Sequence, residues 1–496
     1  MIKKKKENLI NRPPVVVVLG HIDSGKTSLL DQIRKTKVAE KESGGITQHI
    51  GAYQIEKNGK KITFIDTPGH EAFSQMRSRG AKTADIAILV IDSAKGVQVQ
   101  TKEAIDHIKK SQVLPIIAFN KIDRPEADPE KAKGQLEKQE ILVESLGGKI
   151  PSINVSAKTG QGVEDLLELI LLMAEMENLK ADISKPAEGV VIESYLDNKR
   201  GPIATLILNE GVLKTGNIIA TFSTFGKIKS LEDFKGKQVS QALPSDPVVV
   251  LGLEQAPRVG EKFKLFNDLE QAKTYTKSPE RKTEAIAEIK PEQKVLNLVL
   301  KSDVLGSIEA IEEVLKQLPQ EKIVLRVLKS DVGQINENDV QLAKSSKAIV
   351  IGFRIKPNSI AKKLAEKEKV RIMNFEIIYD LVEEIRKYME KILKPEVVRT
   401  DLGKLKVLVS FWSEKKRQIV GGRIIEGKIK KGVLIEVTRD EEVIDQGRMI
   451  NLQKNKKDIE KASKGEEVGI LYEGEKKIEK GDVLIIFTKE RRKGEL

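Results

Sequence analysis

The 496-residue sequence contains no cysteine, which excludes disulfides, thiolate zinc sites and cysteine nucleophiles. This absence is compatible with a reducing cytosol, and we expect a cytoplasmic protein. No apolar run approaches the roughly 18–20 residues of a membrane-spanning helix. The nearest candidate, residues 166–173, is interrupted by Glu168, so we expect no membrane partner. The basic first residues precede no apolar core, which predicts a short disordered lead over residues 1–12 and not a secretory signal.

The length and the charge set broader limits. A chain of 496 residues exceeds a single hydrophobic core, and about 100–200 residues per domain predicts three to five domains. The net charge of +13 and the pI near 9.3 favour a polyanionic partner, because each phosphate that Lys or Arg neutralises releases counterions. A basic surface that only confers solubility would explain the same charge.

Residues 15–30 predict a buried strand, a loop bracketed by glycines and the start of a helix, which is the order of a P-loop. Gly20 and Gly25 let the backbone N–H groups point at phosphate oxygens, Lys26 supplies a charge to the β- and γ-phosphates, and the Thr27 hydroxyl can reach Mg²⁺. The candidate triphosphate-binding residues are Gly20, His21, Ile22, Asp23, Ser24, Gly25, Lys26, Thr27 and Ser28.

Two further segments fit a nucleotide switch. Residues 42–50 are polar and contain glycine; they are either a connecting loop or a switch in which Thr47 adds its hydroxyl to the Mg²⁺ shell. Residues 61–66 predict a strand that ends at Asp66, which would hold Mg²⁺ through water, and the Gly69 N–H can meet the γ-phosphate. His70 is the candidate that orients the attacking water; the alternative is a histidine packed at a helix start.

The base is selected by two later segments, each placed after a predicted strand. The carboxylate of Asp123 can accept hydrogen bonds from the ring N–H and the exocyclic amine of guanine, a pair of donors that adenine lacks. The Ala157 N–H can contact the guanine O6, and Lys158 can cover the ring. The predicted base-site residues are Asn120, Lys121, Asp123, Ser156, Ala157 and Lys158. Five segments in this order predict a parallel-sheet α/β GTPase domain over residues 13–181, with GTP or GDP at the carboxyl ends of the strands.

Residues 43–53, Ser-Gly-Gly-Ile-Thr-Gln-His-Ile-Gly-Ala-Tyr, and residues 66–81, which begin Asp-Thr-Pro-Gly-His-Glu-Ala-Phe, resemble the bacterial translation initiation factor 2 family. The resemblance implies a monomeric, GTP-dependent factor that binds formylmethionyl initiator tRNA, ribosomal RNA and both ribosomal subunits. It covers nearly the whole chain from Arg12, and we find no counterpart of the long N-terminal extension common in the family. Ser24 stands where translational GTPases commonly carry His; nucleotide binding should survive, because this position acts mostly through its backbone.

Alternating strands and turns predict a β-barrel over residues 182–275, with strands at 189–194, 203–208, 212–220 and 247–253 that are broken at 199–202 and 213–216. It resembles the second domain of translational GTPases, and a structural barrel without a ligand remains an alternative. The charged residues 273–290 indicate a linker, assigned to 276–290. Residues 291–374 predict an α/β/α module with a parallel sheet, from strands at 295–300, 323–328 and 348–352 and helices at 308–317 and 337–344.

This module has neither a phosphate loop nor paired acid–base residues, so we expect no enzymatic role for it. Apolar residues at helical spacing then predict a helix, assigned to residues 375–396 and ended by Pro395. The resemblance implies that this helix connects domains and transmits the nucleotide state.

Residues 397–496 predict a C-terminal β-barrel, with strands from Val407 and turns at 421–422, 431–432, 463–465 and 480–481. The resemblance implies that this barrel holds the formylmethionyl end of initiator tRNA. The family often has cysteines at the positions of Gly422 and Val468 and an arginine at Asn455, so Gly422 should remove side-chain volume from the pocket. A basic barrel that docks on ribosomal RNA is the alternative. The candidate tRNA-binding residues are Gly422, Lys454, Glu467 and Val468.

Two other functions stay open at this point. A different translational GTPase would deliver another aminoacyl-tRNA, although the switch sequence and the α/β third domain argue against it. A nucleotide-gated scaffold would bind ribosomes without hydrolysing GTP.

Overall fold

The computed structural model describes residues 8–36, 51–69, 71–197, 199–276, 293–393, 396–414, 416–440 and 442–492. Two compact units divide the chain, one up to Arg386 and one from Lys387 onward. The first unit contains an α/β module, a β-barrel and a second α/β module; the second unit contains another β-barrel. The predicted combination of α/β and β domains is confirmed. Within the described ranges, no helix is long and apolar enough to cross a membrane.

A six-stranded sheet of order β3-β4-β2-β5-β6-β7 forms the first module, and all neighbouring strands are parallel except the antiparallel edge strand β3. Its elements are β1 (Leu9–Asn11), β2 (Val15–Gly20), α1 (Lys26–Arg34), β3 (Gly51–Lys57), β4 (Lys60–Asp66), a 3₁₀ turn (Glu71–Phe73), α2 (Ser74–Thr83), β5 (Ile86–Asp92), α3 (Val99–Ser111), β6 (Leu114–Asn120), α4 (Pro129–Glu137), a 3₁₀ turn (Glu144–Leu146), β7 (Ser152–Asn154) and α5 (Val163–Met176). Every residue of β2 is buried, as expected for a central parallel strand with helices on both faces. The loops that follow β2, β4, β6 and β7 therefore meet at one edge of the sheet.

Strand β1 does not belong to this sheet but pairs antiparallel with Lys180–Asp182. Arg12, directly after it, donates two hydrogen bonds to the Asp85 carboxylate at 2.6 and 2.7 Å. The predicted disordered lead over residues 1–12 is therefore wrong for Leu9–Asn11, while residues 1–7 lie outside the described ranges. The short strand acquires its order from a partner about 170 positions away, which local composition does not reveal.

The second module is a closed antiparallel barrel of order β12-β17-β9-β10-β16-β13, in which β13 pairs back with β12. Its elements are β8 (Lys180–Asp182), β9 (Glu188–Asp197), β10 (Gly201–Glu210), β11 (Leu213–Lys214), β12 (Ile218–Ala220), β13 (Phe225–Asp233), β14 (Gln238–Val239), β15 (Gln241–Ala242), β16 (Pro247–Leu253), β17 (Lys262–Phe266) and α6 (Leu269–Tyr275). The break predicted at residues 213–216 is present, because a turn with Gly216 at φ +88° separates β11 from β12, although Leu213–Lys214 is itself the short strand β11. Helix α6 covers the start of the charged stretch predicted as a linker; residues 277–290 lie outside the described ranges.

The third module is a parallel sheet of order β19-β18-β20-β21, which confirms the predicted repeat. Its elements are β18 (Lys294–Ser302), α7 (Leu305–Gln317), β19 (Ile323–Val332), α8 (Glu337–Ser346), β20 (Ile349–Phe353), α9 (Ser359–Glu368) and β21 (Ile372–Phe375). Helix α9 was not predicted, because the residues it buries are alanines, Ala361 and Ala365, and not large apolar side chains. Helix α7 packs against α2 through an ion pair between Glu309 and Arg79 at 2.5 Å.

The connecting helix assigned to residues 375–396 is present as α10 (Ile378–Ile392). Its buried side chains, Ile378, Leu381, Ile385 and Met389, recur every three or four residues as predicted. The helix is shorter than predicted at both ends, since Phe375 belongs to β21 and the last helical residue is Ile392. Pro395, the predicted helix end, lies outside the described residues.

The second unit contains a closed antiparallel barrel of order β22-β29-β24-β25-β28-β23, in which β23 pairs back with β22. Its strands are β22 (Glu396–Glu414), β23 (Arg417–Lys430), β24 (Leu434–Arg439), β25 (Glu442–Lys454), β26 (Lys457–Asp458), β27 (Lys461–Ser463), β28 (Glu467–Glu473) and β29 (Val483–Arg492). Strand structure begins at Glu396, earlier than the predicted Val407. The turn predicted at 421–422 is wrong: both glycines lie inside β23 and pair with Gly469 and Val468 of β28. Glycine in a strand interior can mark close packing as well as a turn.

Candidate functional site

The predicted P-loop connects the carboxyl end of β2 to the first turn of α1. Gly20 has φ +144° and Gly25 has φ +91°, a backbone region that favours glycine. A Cβ atom at Gly20 would overlap the carbonyl oxygen of Val90, and one at Gly25 would overlap the amide nitrogen of Asn120. Both glycines of the motif are therefore required by conformation and by space.

Lys26 is buried at the start of α1, and its ammonium donates a hydrogen bond to the His21 carbonyl oxygen at 2.6 Å. Burial, opposed in part by the negative charge of Asp66, lowers the pKa of Lys26 to about 8. The same burial lowers the pKa of His21, with a further contribution from the charge of Lys26. The loop thus holds one buried, poorly hydrated ammonium, that of Lys26, where phosphate oxygens would be bound.

Gly69, in the loop after β4, lies directly against this lysine. A Cβ atom at Gly69 would overlap Lys26 Nζ and would lie 3.3 Å from the Cα of Ile22. The P-loop and the loop after Asp66 are therefore adjacent, as the sequence predicts, and a side chain at position 69 would displace the Lys26 ammonium. His70 and Thr47, the predicted catalytic residue and the predicted Mg²⁺ ligand of the switch, lie outside the described residues.

The pKa of Lys26 leads to a testable pH dependence. Phosphate oxygens at the lysine would stabilise its charged form, so nucleotide binding takes up a proton once the free protein has lost it. We expect GDP affinity to be constant below pH 7 and to be about fourfold weaker at pH 8.5, since about a quarter of the free protein is then protonated. Titration calorimetry at both pH values measures this change. Lys26→Met should bind GDP weakly and without this dependence on pH, so it controls for titration of the nucleotide. An equal dependence on pH in both proteins would contradict the assignment of the effect to Lys26.

The structure describes two of the three predicted Mg²⁺ ligands, Asp66 and Thr27. Asp66 is buried at the end of β4, and Thr27 is partly buried in the first turn of α1. Among the described residues, no group of three His, Cys, Asp or Glu side chains could hold a metal ion. Mg²⁺ usually takes one or two protein oxygens, with phosphates and water completing its shell, so one carboxylate and one hydroxyl are a fitting donor set.

The predicted base-site segments meet beside the P-loop. Asn120 is fully buried; its amide nitrogen donates to the Ser24 carbonyl at 2.9 Å, and its amide oxygen accepts from the Ala157 N–H at 3.0 Å. A bound guanine O6 would therefore accept a hydrogen bond from the Ala157 N–H, either together with the Asn120 amide oxygen or in its place. Lys121 pairs with Asp92 at 2.7 Å and also donates to the Asp23 carbonyl. Asn120 thus connects three loops, namely the P-loop, the loop after β6 and the loop that contains Ala157.

Asp123 is exposed and accepts a hydrogen bond from Ser156 Oγ at 2.6 Å. This bond, with a contribution from the charge of Lys158, lowers the pKa of Asp123. The carboxylate is therefore ionised, oriented and open to solvent, which are the properties that acceptance of two hydrogen bonds from guanine requires.

Ser24 is buried, and its hydroxyl oxygen has no hydrogen-bond partner in the described part of the chain. Its carbonyl is the acceptor for Asn120. This agrees with the expectation that the position acts through its backbone. The small serine side chain leaves the carbonyl in place, so the departure from the family pattern does not disturb the loop.

Three contacting residues were missed by the sequence analysis. Gln100 accepts a hydrogen bond from the Ile22 N–H at 3.0 Å, Asp92 pairs with Lys121, and Arg77 donates to the Pro68 carbonyl at 3.0 Å. Asp92 could have been found, because a carboxylate at the end of a buried strand is the same signal that Asp66 gives. Gln100 and Arg77 lie on helices and carry no such signal.

The four residues predicted to bind tRNA do not share one surface. Gly422 and Val468 are direct partners in the β23–β28 register and are both buried in the barrel. Glu467 is exposed and pairs with Arg423 at 2.8 Å, and Lys454 pairs with Glu466 at 2.5 Å. Gly422 was expected to remove side-chain volume from the pocket, but no volume is left free there, because Leu405 occupies the space that a side chain at Gly422 would take.

This packing predicts that alanine destabilises the barrel at one of two neighbouring glycines and has almost no effect at the other. A Cβ atom at Gly422 would overlap Leu405 Cδ2 and would lie 2.5 Å from the Lys406 carbonyl, whereas one at Gly469 meets no atom within 4 Å. We expect Gly422→Ala to lower the free energy of unfolding by about 1–3 kcal/mol through overpacking. Chemical denaturation followed by the fluorescence of Trp412, the single tryptophan, measures it. Gly469→Ala is the matched control and should change it by less than about 0.5 kcal/mol; equal effects would contradict the packing argument.

Family models match the chain in four successive segments. They are described as Elongation factor Tu GTP binding domain over residues 11–176, Elongation factor G domain 2 over 186–266, Translation-initiation factor 2 over 270–386 and Elongation factor Tu domain 4 over 403–485. Among solved structures, the chain resembles GDP-bound aIF5B from Aeropyrum pernix at 27% identity and a TM-score of 0.49, over 96% of this chain and 92% of that one.

Curated relatives match over nearly the full length of the chain. Translation initiation factor IF-2 from Carboxydothermus hydrogenoformans is 45% identical over 98% of this chain and 61% of its own length. The protein of the same name from Halothermothrix orenii is 42% identical over 98% of this chain and 73% of its own length. The chain spans only 61% and 52% of the first two relatives it matches. Identity above 40% across all of the modules described here shows that the chain belongs to the translation initiation factor IF-2 family.

Proposed function

We propose that this chain is a GTP-dependent translation initiation factor. It brings or holds formylmethionyl initiator tRNA on the small ribosomal subunit, promotes joining of the large subunit and then hydrolyses GTP to GDP and phosphate. The observation that carries the proposal is the Asn120 amide, which links the P-loop to the Ala157 loop beside an ionised Asp123. Membership of the IF-2 family supports the choice of initiation among translational functions.

In the proposed site the P-loop N–H groups and Lys26 bind the β- and γ-phosphates. The Gly69 N–H contacts the γ-phosphate, and His70 orients the attacking water. Asp123 accepts the two guanine donors, and the buried Asn120 keeps the base loops aligned with the phosphate loop. Each role is electrostatic or positional, which suits phosphoryl transfer, where the protein does little covalent chemistry.

Mg²⁺ fits the same proposal. When bound, it neutralises charge that develops on the β- and γ-phosphate oxygens. Thr27 and Asp66 would hold it from the described residues, and Thr47 would join them from the switch. Asp66 is buried at the end of β4, and its charge acts on Lys26 of the P-loop, so the two groups that would face the metal and the phosphates lie in one site.

We further propose four domains. The GTPase domain covers residues 13–181, the two barrels cover 182–275 and 397–496, and the α/β/α domain covers 291–374. In the C-terminal barrel, Lys454 and Glu467 are the charged candidates for contacts to the tRNA end. Gly422 and Val468 would act through the packing beneath this surface. The protein would work as a cytoplasmic monomer on the ribosome.

The deciding measurement is GTP turnover by the full chain with and without 70S ribosomes. We expect strong stimulation by ribosomes; an unchanged rate would favour the scaffold that binds ribosomes without hydrolysis. Filter binding with formylated and unformylated initiator tRNA tests the cargo. A preference for the formylated form supports an initiation factor, whereas equal binding of an elongator aminoacyl-tRNA would favour a different translational GTPase.

A further inference from the structure

Arg77 on α2 is the largest fully buried side chain in the described part of the chain. Removing a guanidinium from water is costly unless hydrogen bonds and a counter-charge compensate it. Arg77 donates to the Pro68 carbonyl at 3.0 Å and to the Glu71 carbonyl at 3.5 Å, the outer limit of a hydrogen bond. It also forms an ion pair with Glu103 at 2.6 Å.

The two carbonyl acceptors flank Gly69 and His70. One guanidinium therefore contacts the backbone on both sides of the two residues that the proposed mechanism places against the γ-phosphate and the water. Arginine suits this task because its planar fork carries five N–H donors in fixed directions, which lysine lacks. The conformation of this loop is thus tied to the position of Arg77.

Glu103, the counter-ion on α3, is itself held in place. It lies 3.2 Å from His107 Nε2, and His107 is also 3.3 Å from Ser74 Oγ at the start of α2. Burial by itself would raise the pKa of Glu103, but the hydrogen bond with His107 and the charge of Arg77 lower this pKa to about 2. The carboxylate is therefore ionised at any physiological pH, and the ion pair is permanent.

Helix α3 also contacts the P-loop. Gln100, three residues before Glu103 and hence on the same helical face, accepts a hydrogen bond from the Ile22 N–H at 3.0 Å. One face of α3 thus holds the P-loop directly and the loop at 68–71 through Arg77. The relative position of the two loops, which must enclose the same phosphate, depends on this shared support.

We propose that Arg77, supported by Glu103, is a positioning residue that aligns Gly69 with the γ-phosphate held by the P-loop. This inference rests on the proposed GTPase function and adds to it a residue that touches neither nucleotide nor water. Arg77 acts on GTP and on its hydrolysis but not on GDP, because GDP lacks the phosphate that this loop would contact.

The test compares Arg77→Met, Arg77→Lys and the double variant Arg77→Met/Glu103→Gln in the full chain. For each protein we would measure GDP affinity, GTP affinity, the single-turnover hydrolysis rate at saturating GTP with 70S ribosomes, and the melting temperature. Lys82→Met, an exposed lysine on the same helix, is the matched control and should behave as wild type.

We expect Arg77→Met to keep GDP affinity within about twofold and to lose about 10²-fold in hydrolysis rate, the usual cost of a misplacement near 1 Å. Arg77→Lys should fold as wild type and recover part of the rate, since one ammonium can replace one of the bonds. The double variant removes the buried charge together with its partly exposed counter-ion, so the melting temperature should recover while the rate stays low.

A merely structural role predicts the opposite, namely that rate and melting temperature recover together in the double variant. A wild-type rate in Arg77→Met would also overturn the inference. If the wild-type chain shows no ribosome-stimulated turnover, the proposed function fails. The positioning role of Arg77 is then tested separately, by the ratio of GTP affinity to GDP affinity. An unchanged ratio in Arg77→Met rejects its positioning role, and a ratio lowered several-fold supports it.

Discussion

Replacing His70 with alanine is expected to reduce ribosome-stimulated GTP hydrolysis by about 10²–10⁴-fold, the contribution typical of a group that positions or accepts a proton in the transition state. GTP and GDP affinity should remain within about twofold of wild type, because the phosphates would be held by the P-loop and the base by the Asp123 loop. Rapid quench with labelled GTP gives the rate, and fluorescent nucleotide titration gives the affinities.

The control for His70→Ala is Glu71→Ala. Glu71 is the next residue, its side chain is exposed, and its carbonyl remains available to Arg77 after the substitution. We expect nearly normal turnover from this variant. Equal losses of affinity and rate in His70→Ala would reject a catalytic role, since they would indicate a collapsed loop and not a missing water-orienting group.

Replacing Asp123 with asparagine is expected to change the base preference. The carboxylate that accepts from two guanine donors becomes an amide with one acceptor and one donor, which matches xanthine better than guanine. We expect GTP affinity to fall by about 10²–10⁴-fold, as for two hydrogen bonds to a charged group at about 1.5–3 kcal/mol each. Xanthosine triphosphate should bind more tightly than GTP, which competition with a fluorescent nucleotide measures.

Ser156→Ala separates orientation from recognition at this position. It removes the hydrogen bond of 2.6 Å that orients Asp123 but leaves the carboxylate itself. We expect GTP affinity to weaken by about tenfold with guanine still preferred over xanthine. A change of base preference in Ser156→Ala, or an unchanged preference in Asp123→Asn, would contradict the assignment of Asp123.

Most parts of the nucleotide site that the sequence predicts share one property, which is that they lie at or directly after the carboxyl end of a predicted strand. Asp66 ends β4, and Asn120 ends β6. Since the carboxyl ends of parallel strands meet at one edge of a sheet, identifying the strands was enough to bring these residues together. The contacts between Asn120 and the Ser24 and Ala157 backbone agree with that inference.

The predictions that failed involve contacts between residues distant in the chain. The pair Gly421 and Gly422 is typical of a turn, but the register with β28 places both inside a strand. The predicted disorder of residues 9–11 is wrong, because pairing with the distant segment Lys180–Asp182 orders Leu9–Asn11 as a strand. The pocket expected at Gly422 is filled by Leu405, which follows from packing across β22 and β23.

The sequence alone determined the family of the protein, the order of its modules and the candidate residues for phosphate, metal and base, because short motifs with fixed spacing carry that information. Only the tertiary structure decided which side chains support those residues. The burial of Arg77, its acceptors on both sides of Gly69 and His70, and its anchoring to α3 through Glu103 depend on how two helices pack. Helix packing is set by side chains far apart in the chain, so local patterns of hydrophobicity and charge do not encode it.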